Sequence, residues 1–421
     1  MQPAPPKGQH WIASWTAAAH GPYPVGNPVA QPELTLAFPD AARGACDQSF
    51  RMIVRPDVWG SQARIRLSNA FGTKPVTFDG VFVGLQLSGS AVLEGTNRPL
   101  TFGGNRMLTL APGRDAMSDA VTLPFVKSID DPLLCGRRLA VSFHVHGESG
   151  PMTWHAKALT TSYLSACGAG SHGSDESEFA FPISTTSWYF LDALDMLAPE
   201  ATQVIVAFGD SITDGTGSTL NGDDRWPDVL ARRLHATAGN RFAVVNAGIG
   251  GNRVISPADY ATNPINGGPP AVDRLERDVL TLSGVSTVIW LEGINDFGAT
   301  NATAKEVSDG VREAVLRMRE RVPGLRIFMA TVPSALNSTP THGTAEVDAR
   351  RNEYNNFIRT SGIFDGVIDF DAVALDPATG GMRAEYQPNS TIGGPGDKLH
   401  PNRAGYAAMG NAIDLTMIVG K

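Results

Sequence analysis

The sequence lacks the features that mark membrane-spanning and nucleic-acid-binding chains. No apolar run approaches the ~20 residues that a membrane helix needs. Basic residues form no run, and 34 Lys and Arg against 42 Asp and Glu give a net charge of −8. An acidic chain without a basic patch argues against a nucleic-acid partner. A Gly-rich phosphate loop of the P-loop or GxGxxG type is also absent, which argues against a bound nucleotide cofactor.

Cysteine is scarce: the chain has three, Cys46, Cys135 and Cys167, and no two of them form a CxxC pair. Their spacing therefore offers no cysteine-based metal site. One disulfide with a leftover thiol suits an oxidising compartment, whereas three buried thiols suit the cytoplasm, and we favour the first interpretation. The expected disulfide joins Cys135 to Cys167, because these residues flank a hairpin predicted around residues 147–150.

The N-terminal segment is consistent with the same compartment. Residues 1–8, MQPAPPKG, contain no apolar signal core. Their Gln, Pro and Ala character is typical of a mature segment placed behind an added Met. We therefore expect a secreted or periplasmic protein whose leader has been removed.

Length and composition predict two folded domains. The chain has 421 residues, whereas about 100–200 residues per domain is usual. It is 42% hydrophobic and 18% charged, which allows a sizeable core. We place the boundary in the Ala198-Pro199-Glu200 segment, which gives an N-terminal domain of residues 1–199 and a second domain of residues 200–421.

The first domain has the pattern of antiparallel strands. Apolar and polar residues alternate over residues 63–67, 76–78 and 139–145, with turn residues between them. Short strands at this spacing, without a long helical stripe, predict an antiparallel β-sandwich-like domain. Residues 168–178 are rich in Gly, Ser and acidic residues and are expected to form an exposed loop.

The second domain alternates strands with helices. Unbroken apolar runs, typical of strands buried on both faces, occur at residues 204–208, 242–245, 287–291, 327–330 and 367–368. Helical apolar stripes lie between and after them, at residues 226–234, 307–322, 354–358 and 406–413. Five parallel strands with crossover helices predict an α/β fold, in the form of a three-layer, doubly wound, flavodoxin-like domain. In such sheets ligands bind beyond the carboxyl ends of the strands, which places the residues after each run in one crevice.

The segments beyond these strands carry the parts of an acyl-transfer site. They are GDSITDG at 209–215, NAGIGGN at 246–252, EGIND at 292–296 and, near the C-terminus, DKLHPN at 397–402. Ser211 is a candidate nucleophile, and His400, its candidate base, is the only histidine beside one of these segments. Asp397 lies three residues before His400, close enough on a tight turn to orient the imidazole. Candidate donors to an oxyanion are the backbone N–H groups of Ser211 and Gly251 and the side-chain amide of Asn295.

At these residues the sequence resembles the SGNH, or GDSL-type, hydrolase family. That family is named for a Ser, a Gly, an Asn and a His in four blocks, which correspond here to Ser211, Gly251, Asn295 and His400. The resemblance spans residues 201–421 and implies a metal-free serine esterase. A looser resemblance, at residues 11–15 and 66–72, implies the β-rich N-terminal region of larger bacterial members.

Some of these positions have rivals. Gly250 is the alternative to Gly251, although the family glycine falls five residues after the asparagine of its block, which favours Gly251. Asp369 and Asp371 end the last predicted strand and are alternatives to Asp397. Neither has the three-residue spacing to a histidine, so Asp397 is preferred.

The remaining polar residues of these segments also have structural interpretations. Ser211 alone could be a turn serine that caps the next helix, and Asn295 could cap its own loop. With all four segments present, we favour the catalytic interpretation of both residues. Asp210 and Asp296 are expected to support their loops rather than to act as catalytic acids.

Two features of the first domain have alternative interpretations. His144 and His146 form an HxH pattern on a predicted strand, with His155 on the expected partner strand, and this geometry could hold zinc. A polar sheet face is favoured, because the pattern fixes no carboxylate or cysteine nearby. The tryptophans could form a sugar-stacking platform, but positions in the core or at the domain seam are favoured for them; they are Trp11, Trp15, Trp59, Trp154 and Trp188.

The expected function is hydrolysis of carboxylic esters through an acyl-enzyme, with neither metal nor cofactor. The expected substrates are short acyl esters such as acetyl groups, on small molecules or carbohydrates. The alternatives are a lipase or arylesterase for longer or aromatic esters, a carbohydrate-binding protein with a scaffold hydrolase domain, and a flavodoxin-like cofactor binder. Nothing in the sequence selects an oligomeric state.

Overall fold

The computed structural model describes residues 5–420 of the protein. Residues 1–4, half of the N-terminal segment interpreted above, and Lys421 lie outside the described residues. The described chain divides into two compact units, one ending at Thr202 and the other beginning at Gln203. The boundary expected from sequence lies between residues 199 and 200. Within residues 5–420, none of the helices combines the length and the apolar character needed to cross a bilayer.

The first unit consists of antiparallel β-strands, as the alternating pattern predicts. Its strands are β1 (Gln9–Thr16), β2 (Cys46–Val54), β3 (Gln62–Ser68), β4 (Val76–Ser88), β5 (Ala91–Val92), β6 (Arg98–Pro99), β7 (Leu108–Leu110), β8 (Asp115–Met117), β9 (Val121–Thr122), β10 (Leu139–Glu148), β11 (Trp154–His155), β12 (Ser162–Leu164), β13 (Ile183–Thr185), β14 (Trp188–Tyr189) and β15 (Leu191–Pro199). The smaller sheet has the order β1-β15-β3-β8, with β9 also paired to β3. The larger sheet has the order β13-β12-β2-β10-β4-β5, with β6 and β7 also on β4, and β11 pairs with β14.

Aromatic side chains fill the core of this unit. The ring of Phe190 lies 5.8, 5.3 and 6.4 Å, between centroids, from those of Phe50, Phe78 and Phe143 in the larger sheet. The Phe190 carbonyl accepts a hydrogen bond from the N–H of Ser68 on β3, a strand of the smaller sheet. Phe190 is therefore hydrogen-bonded to the smaller sheet through its backbone and packs against the larger sheet through its ring, which links the two sheets across a common core.

Four of the five tryptophans considered for a sugar platform are buried, namely Trp15, Trp59, Trp154 and Trp188. The edge of Trp15 meets Trp188 with ring centroids 4.8 Å apart. The fifth, Trp11, lies under the guanidinium of Arg64, 4.6 Å from its ring centroid. The tryptophans are therefore mainly core residues, one of the two placements expected in preference to a platform.

The disulfide joins Cys46 to Cys167, so the predicted pair of Cys135 and Cys167 is wrong. The chain that follows β12 runs beside the start of β2, where the Gly168 N–H donates to the Cys46 carbonyl at 2.7 Å. This pairing brings the two Cα atoms to 5.2 Å, a usual distance for a disulfide. Cys135, after the 3-10 turn Pro132–Leu134, is exposed and free. The bond depends on strands far apart in sequence, which the spacing around a hairpin does not reveal.

A buried arginine anchors the acidic loop at residues 168–178. Arg51 on β2 donates to the Ser90 carbonyl at 2.6 Å and to the Asp175 carbonyl within the loop. Its guanidinium also lies 3.9 Å from the ring centroid of Phe181. Burial lowers the pKa of Arg51 to about 10, although Asp175 opposes that change. The loop is largely exposed, as predicted, but these bonds fix its path.

The second unit is built on a five-stranded parallel sheet. Its strands are β16 (Gln203–Gly209), β17 (Phe242–Gly248), β18 (Val285–Leu291), β19 (Arg326–Ala330) and β20 (Gly366–Ile368). Its helices are α1 (Ser211–Asp214), α2 (Trp226–Ala238), α3 (Ala271–Leu275), α4 (Ile294–Ala299), α5 (Ala304–Arg321), α6 (Ala345–Thr360), α7 (Phe370–Ala374), α8 (Arg403–Ala412) and α9 (Leu415–Val419), with short 3-10 or π turns at Gly239–Arg241, Glu276–Leu280 and Ala384–Tyr386. The strand order β17-β16-β18-β19-β20 is that of a doubly wound sheet.

Helices cover both faces of this sheet. Ile205 and Ala207 of β16 pack in one apolar cluster with Trp226 and Leu230 of α2 and with residues of α8. The alternate residue Phe208 points to the opposite face, because side chains along a strand alternate. There the guanidinium of Arg274 on α3 lies 4.1 Å from the centroid of the Phe208 ring. The unit therefore has three layers, with helices on both sides of the sheet.

The sequence predicted all five parallel strands and the helices α2, α5, α6 and α8. It did not predict α3 and the π turn that follows it, residues 271–280. The reason is that Arg274 and Asp278 face the interior in this segment and are buried. An inward-facing ion pair interrupts the apolar stripe on which helix prediction depends.

The disulfide assignment leads to predictions for the number of titratable thiols and for the free energy of unfolding. The native, unreduced protein should show one titratable thiol, at Cys135. Replacing Cys46 or Cys167 with Ser should lower the free energy of unfolding by about 2–4 kcal/mol, because the bond closes a long loop. The matched variant Cys135→Ser should unfold like the wild type in urea. Three titratable thiols, or equal stability of all three variants, would contradict the assigned pair.

Glu292 is a fully buried acid directly after β18. The indole N–H of Trp290 donates to its Oε2 at 2.7 Å, whereas its Oε1 has no hydrogen-bond partner in the described part of the chain. Burial raises the pKa of Glu292 to about 8, although the neighbouring Arg274 opposes that change. The folded protein therefore holds this proton more tightly than the unfolded chain does.

This buried acid predicts a pH-dependent stability. Because the folded pKa lies above the unfolded value of 4.5, its contribution is complete below that value and is lost as the pH rises through about 8. We expect the melting temperature of Glu292→Gln to rise relative to wild type between about pH 5 and about pH 8. Asn356→Gln on the exposed face of α6 removes no titratable group, so it is the control and should show a constant difference. A constant difference for Glu292→Gln as well would show that Glu292 does not titrate in this range.

Candidate active site

Ser211 lies at the sharp turn between β16 and α1. A Cβ at Gly209 would overlap the carbonyl oxygen of Leu291 on the neighbouring strand, so glycine is required there. The Asp210 carboxylate accepts a hydrogen bond from the Ile212 N–H at 2.9 Å and caps the one-turn helix. Asp210 is thus placed as a support of the turn, and Ser211 is held at the carboxyl edge of the sheet.

Ser211, His400 and Asp397 form a continuous hydrogen-bonded chain. The Ser211 Oγ is 2.7 Å from His400 Nε2, and His400 Nδ1 is 2.6 Å from Asp397 Oδ2. The other carboxylate oxygen of Asp397 accepts the N–H groups of Leu399 and His400, both at 2.9 Å. Burial alone would raise the pKa of Asp397, but the hydrogen bonds and charge of His400 lower it well below its usual range. Asp397 is therefore ionised and fixed beside the imidazole.

The two rivals of Asp397 are engaged elsewhere. Asp369 accepts from Arg359 at 2.8 Å, and Asp371 accepts from Arg351 at 2.7 Å. Lys398, within the Asp-x-x-His turn, adopts a left-handed φ of 61°. That turn folds Asp397 back onto His400, the geometry that its three-residue spacing predicts.

Gly250 and Gly251, which follow β17, differ in whether their backbone N–H groups are hydrogen-bonded. Gly250 donates its N–H to Asp214 Oδ2 at 2.8 Å. Gly251 has a left-handed φ of 84°, and its N–H has no acceptor among the residues that the structure describes. The N–H of Gly250 is therefore already engaged, whereas that of Gly251 is available to a ligand.

Asn295 is buried at the start of α4. Its Nδ2 donates to the Asn252 carbonyl at 2.9 Å, which links the block after β18 to the block after β17. One Nδ2 hydrogen makes this bond, so a second remains on the same nitrogen. The amide therefore has a donor to spare for a ligand.

Arg274 connects the ends of two strands beneath the site. It is fully buried and donates to the carbonyls of Gly209 and Ala247 at 2.9 and 2.7 Å. It also donates to Asn252 Oδ1 at 2.7 Å and to Asp278 at 3.1 Å. Burial lowers the pKa of Arg274, and Asp278 opposes that change.

Asp296 holds the loop that follows Gly251 and Asn252. It is fully buried, and its two oxygens accept the N–H groups of Val254 at 2.8 Å and Ile255 at 3.2 Å. Burial raises the pKa of Asp296 to about 6, against the effect of these two hydrogen bonds. Its contacts are those of a loop support, the role expected for it.

His342 also lies at this site, although the sequence named His400 as the only histidine beside the crevice segments. Its Nε2 is 3.1 Å from Asn295 Oδ1. Burial and the nearby His400 lower the pKa of His342. The available signal was its place in the connection that follows β19 at the carboxyl edge. A connection as long as residues 331–344 fixes no spacing that could identify one residue.

The histidines considered for zinc do not converge on one point. His144 uses both ring nitrogens on carboxylates, Asp79 at 2.8 Å and Asp47 at 3.1 Å. His155 Nδ1 bonds instead to the Ala18 carbonyl at 2.8 Å. Across residues 5–420, no group of three or more His, Cys, Asp or Glu side chains is arranged to hold a metal ion.

Several solved structures resemble about half of this chain. A carbohydrate acetylesterase family member from Sinorhizobium meliloti is 20% identical, over 52% of this chain and 97% of that chain, with a TM-score of 0.38. The M. smegmatis aryl esterase is 20% identical, over 50% and 96%, with a TM-score of 0.37. A member of the lipolytic protein G-D-S-L family from Veillonella parvula is 18% identical, over 52% and 98%, with a TM-score of 0.36. No curated protein matches the chain.

The family comparison concerns the second unit. Residues 207–408 match the model of the GDSL-like Lipase/Acylhydrolase family. This stretch runs from β16 into α8 and includes every residue of the Ser211 hydrogen-bonded chain. Residues 207–408 are therefore a GDSL-like lipase/acylhydrolase domain, and the chain that contains them is an ester hydrolase.

Proposed function

We propose that the protein is a serine esterase that cleaves carboxylic esters through a covalent acyl-enzyme. The observation that carries this proposal is the chain from Ser211 Oγ through His400 to Asp397, with heavy-atom distances of 2.7 and 2.6 Å. Such a chain allows the imidazole to accept the serine proton while the carboxylate stabilises the resulting cation. We propose Ser211 as nucleophile, His400 as general base and acid, and Asp397 as the residue that orients His400.

Acylation follows from this geometry. Ser211 Oγ attacks the ester carbonyl carbon as His400 Nε2 takes the hydroxyl proton, and the carbonyl π electrons move onto oxygen. Three donors are proposed for that oxyanion: the N–H groups of Ser211 and Gly251 and the free Nδ2–H of Asn295. The C–O bond to the alcohol then breaks as His400 protonates the departing oxygen.

Deacylation repeats these steps with water. His400 removes a proton from the water as its oxygen attacks the acyl carbon, and the same donors hold the second oxyanion. When the intermediate collapses, the proton returns to Ser211 Oγ and the carboxylic acid leaves. No metal or cofactor takes part in the proposed cycle.

For the substrate we propose short acyl esters such as acetyl groups, on small molecules or carbohydrates. The polar side chains of the proposed oxyanion donor Asn295 and of His342, which are hydrogen-bonded to each other, support a small acyl group and a hydroxylated alcohol over a long alkyl chain. Lipase or arylesterase activity on longer or aromatic esters remains the competing outcome of the substrate test. We also propose export from the cytoplasm, which the disulfide of Cys46 with Cys167 supports.

A substrate series separates these possibilities. Turnover of p-nitrophenyl esters should be highest for acetyl and should fall steadily toward palmitoyl, and acetylated sugars should release acetate. Faster cleavage of palmitoyl esters would indicate a lipase, and equal use of benzoyl esters an arylesterase. Turnover of none of these esters would refute the proposed substrate class.

Covalent labelling tests the nucleophile. A fluorophosphonate should attach to Ser211, and Ser211→Ala and His400→Ala should each lower kcat by ~10⁴-fold or more, because the triad acts as a unit. Peptide mass mapping locates the label. Ser361→Ala, at the end of α6, is the matched control and should keep full activity. Labelling at a different serine, or an active Ser211→Ala enzyme, would end the proposal.

Variants of the neighbouring residues Asn295 and Asp296 should distinguish a catalytic role from a structural one. Asn295→Ala should lower kcat by ~10²–10³-fold with little change in KM, because its amide would act on charge that develops in the transition state. Asp296→Ala should mainly lower stability, since two buried N–H groups lose their acceptor. Steady-state kinetics and thermal melts of both variants check this. A wild-type kcat for Asn295→Ala, or a loss explained by unfolding alone, would refute the donor role.

A further inference from the structure

His342 is held against α4 by a contact that leaves room for nothing larger than glycine. A Cβ at Gly298 would lie 2.5 Å from His342 Cδ2. The imidazole therefore rests on the bare backbone of the helix that carries Asn295. From that position its Nε2 reaches Asn295 Oδ1 at 3.1 Å.

The hydrogen bonds of Asn295 fix which nitrogen of His342 carries a proton. The Asn252 carbonyl can only accept, so the Asn295 atom 2.9 Å from it must be the donor Nδ2. The atom facing His342 is then the acceptor Oδ1, and His342 Nε2 must donate to it. The orientation of both side chains thus follows from one backbone oxygen.

Thr339 completes the arrangement on the other side of the ring. Its Oγ1 lies 3.1 Å from His342 Nδ1 and accepts the His342 backbone N–H at 3.2 Å. With the proton on Nε2, Nδ1 is free to accept the threonine hydroxyl. A neutral imidazole therefore satisfies every bond at the ring, and burial, which lowers the pKa of His342, favours that neutral form.

We propose that His342 is a positioning residue for the oxyanion donor Asn295, an inference that rests on the proposed esterase function. The Asn252 carbonyl restrains the amide through Nδ2, and His342 restrains it through Oδ1. Together they set the plane of the amide and hence the direction of its remaining Nδ2–H. Without His342 only the Asn252 carbonyl restrains the Asn295 amide, which can then rotate about that hydrogen bond. The remaining Nδ2–H no longer points at the oxyanion when it forms.

The test compares His342→Phe, which keeps a ring and removes the donor, with His342→Gln, whose amide nitrogen replaces Nε2–H. We expect His342→Phe to lower kcat by ~10-fold, less than the ~10²–10³-fold loss of the whole donor. KM should stay within about twofold, since the ground state gains little from this donor. His342→Gln should recover most of the loss. His235→Phe on α2 is the matched control and should keep wild-type kinetics.

Coupling to Asn295 separates positioning from general structural support. In the Asn295→Ala background, His342→Phe should cause no further loss of kcat, because the group it orients is gone. Gly298→Ala should displace the ring and lower kcat, because the added Cβ would lie 2.5 Å from His342 Cδ2. If His342→Phe does not fold, His342→Ala repeats the measurement without the ring.

Two results would overturn this proposal while leaving the esterase intact. One is a wild-type kcat for folded His342→Phe, and the other is an equal fold loss in the presence and absence of the Asn295 side chain. A different result tests the proposed mechanism on which this role rests: ester turnover that stays at the wild-type level in Ser211→Ala would refute Ser211 as the nucleophile, and the role of His342 with it.

Discussion

The candidate site depends on one buried cation. Arg274 donates to the carbonyl of Gly209, which precedes the Ser211 turn, and to the side chain of Asn252, whose own carbonyl holds Asn295. A guanidinium is costly in a dry interior unless its donors are satisfied and a countercharge lies close, and Asp278 provides that charge. A single side chain therefore fixes the serine turn relative to the amide on the far side of the crevice.

The consequence for the proposed reaction is that the oxyanion donors are set before the substrate arrives. Asp296 holds the loop after Asn252, while Asn252 and His342 each restrain one end of the Asn295 amide. Donors fixed in this way need no reorganisation when charge develops, which is where such groups contribute most. Arg274, Asp296 and Asn295 are buried beneath the sheet edge with hydrogen-bond partners, and these bonds offset the free-energy cost of removing the polar groups from water.

The sequence predicted the parts of this arrangement that depend on local spacing. Apolar runs located all five parallel strands, so the segments beyond their ends could be assigned to one crevice. The three-residue spacing of Asp397 and His400 predicted a contact now seen at 2.6 Å. Spacing within the NAGIGGN segment also favoured Gly251 over Gly250. The structure shows a physical difference between the two glycines, since the N–H of Gly250 is bonded to Asp214.

The sequence did not predict what depends on contacts between distant segments. The helix α3 was missed because its inward-facing residue is an arginine, and a pattern of apolar positions treats a charge as solvent-exposed. His342 and the partner of Cys167 were missed for a related reason, since each is brought to its place by the pairing of segments far apart in the chain. In an active site built at strand ends, the reacting groups follow from motifs, whereas the residues that orient them are polar and buried. They are therefore found by asking which backbone oxygen or amide each buried polar atom must satisfy.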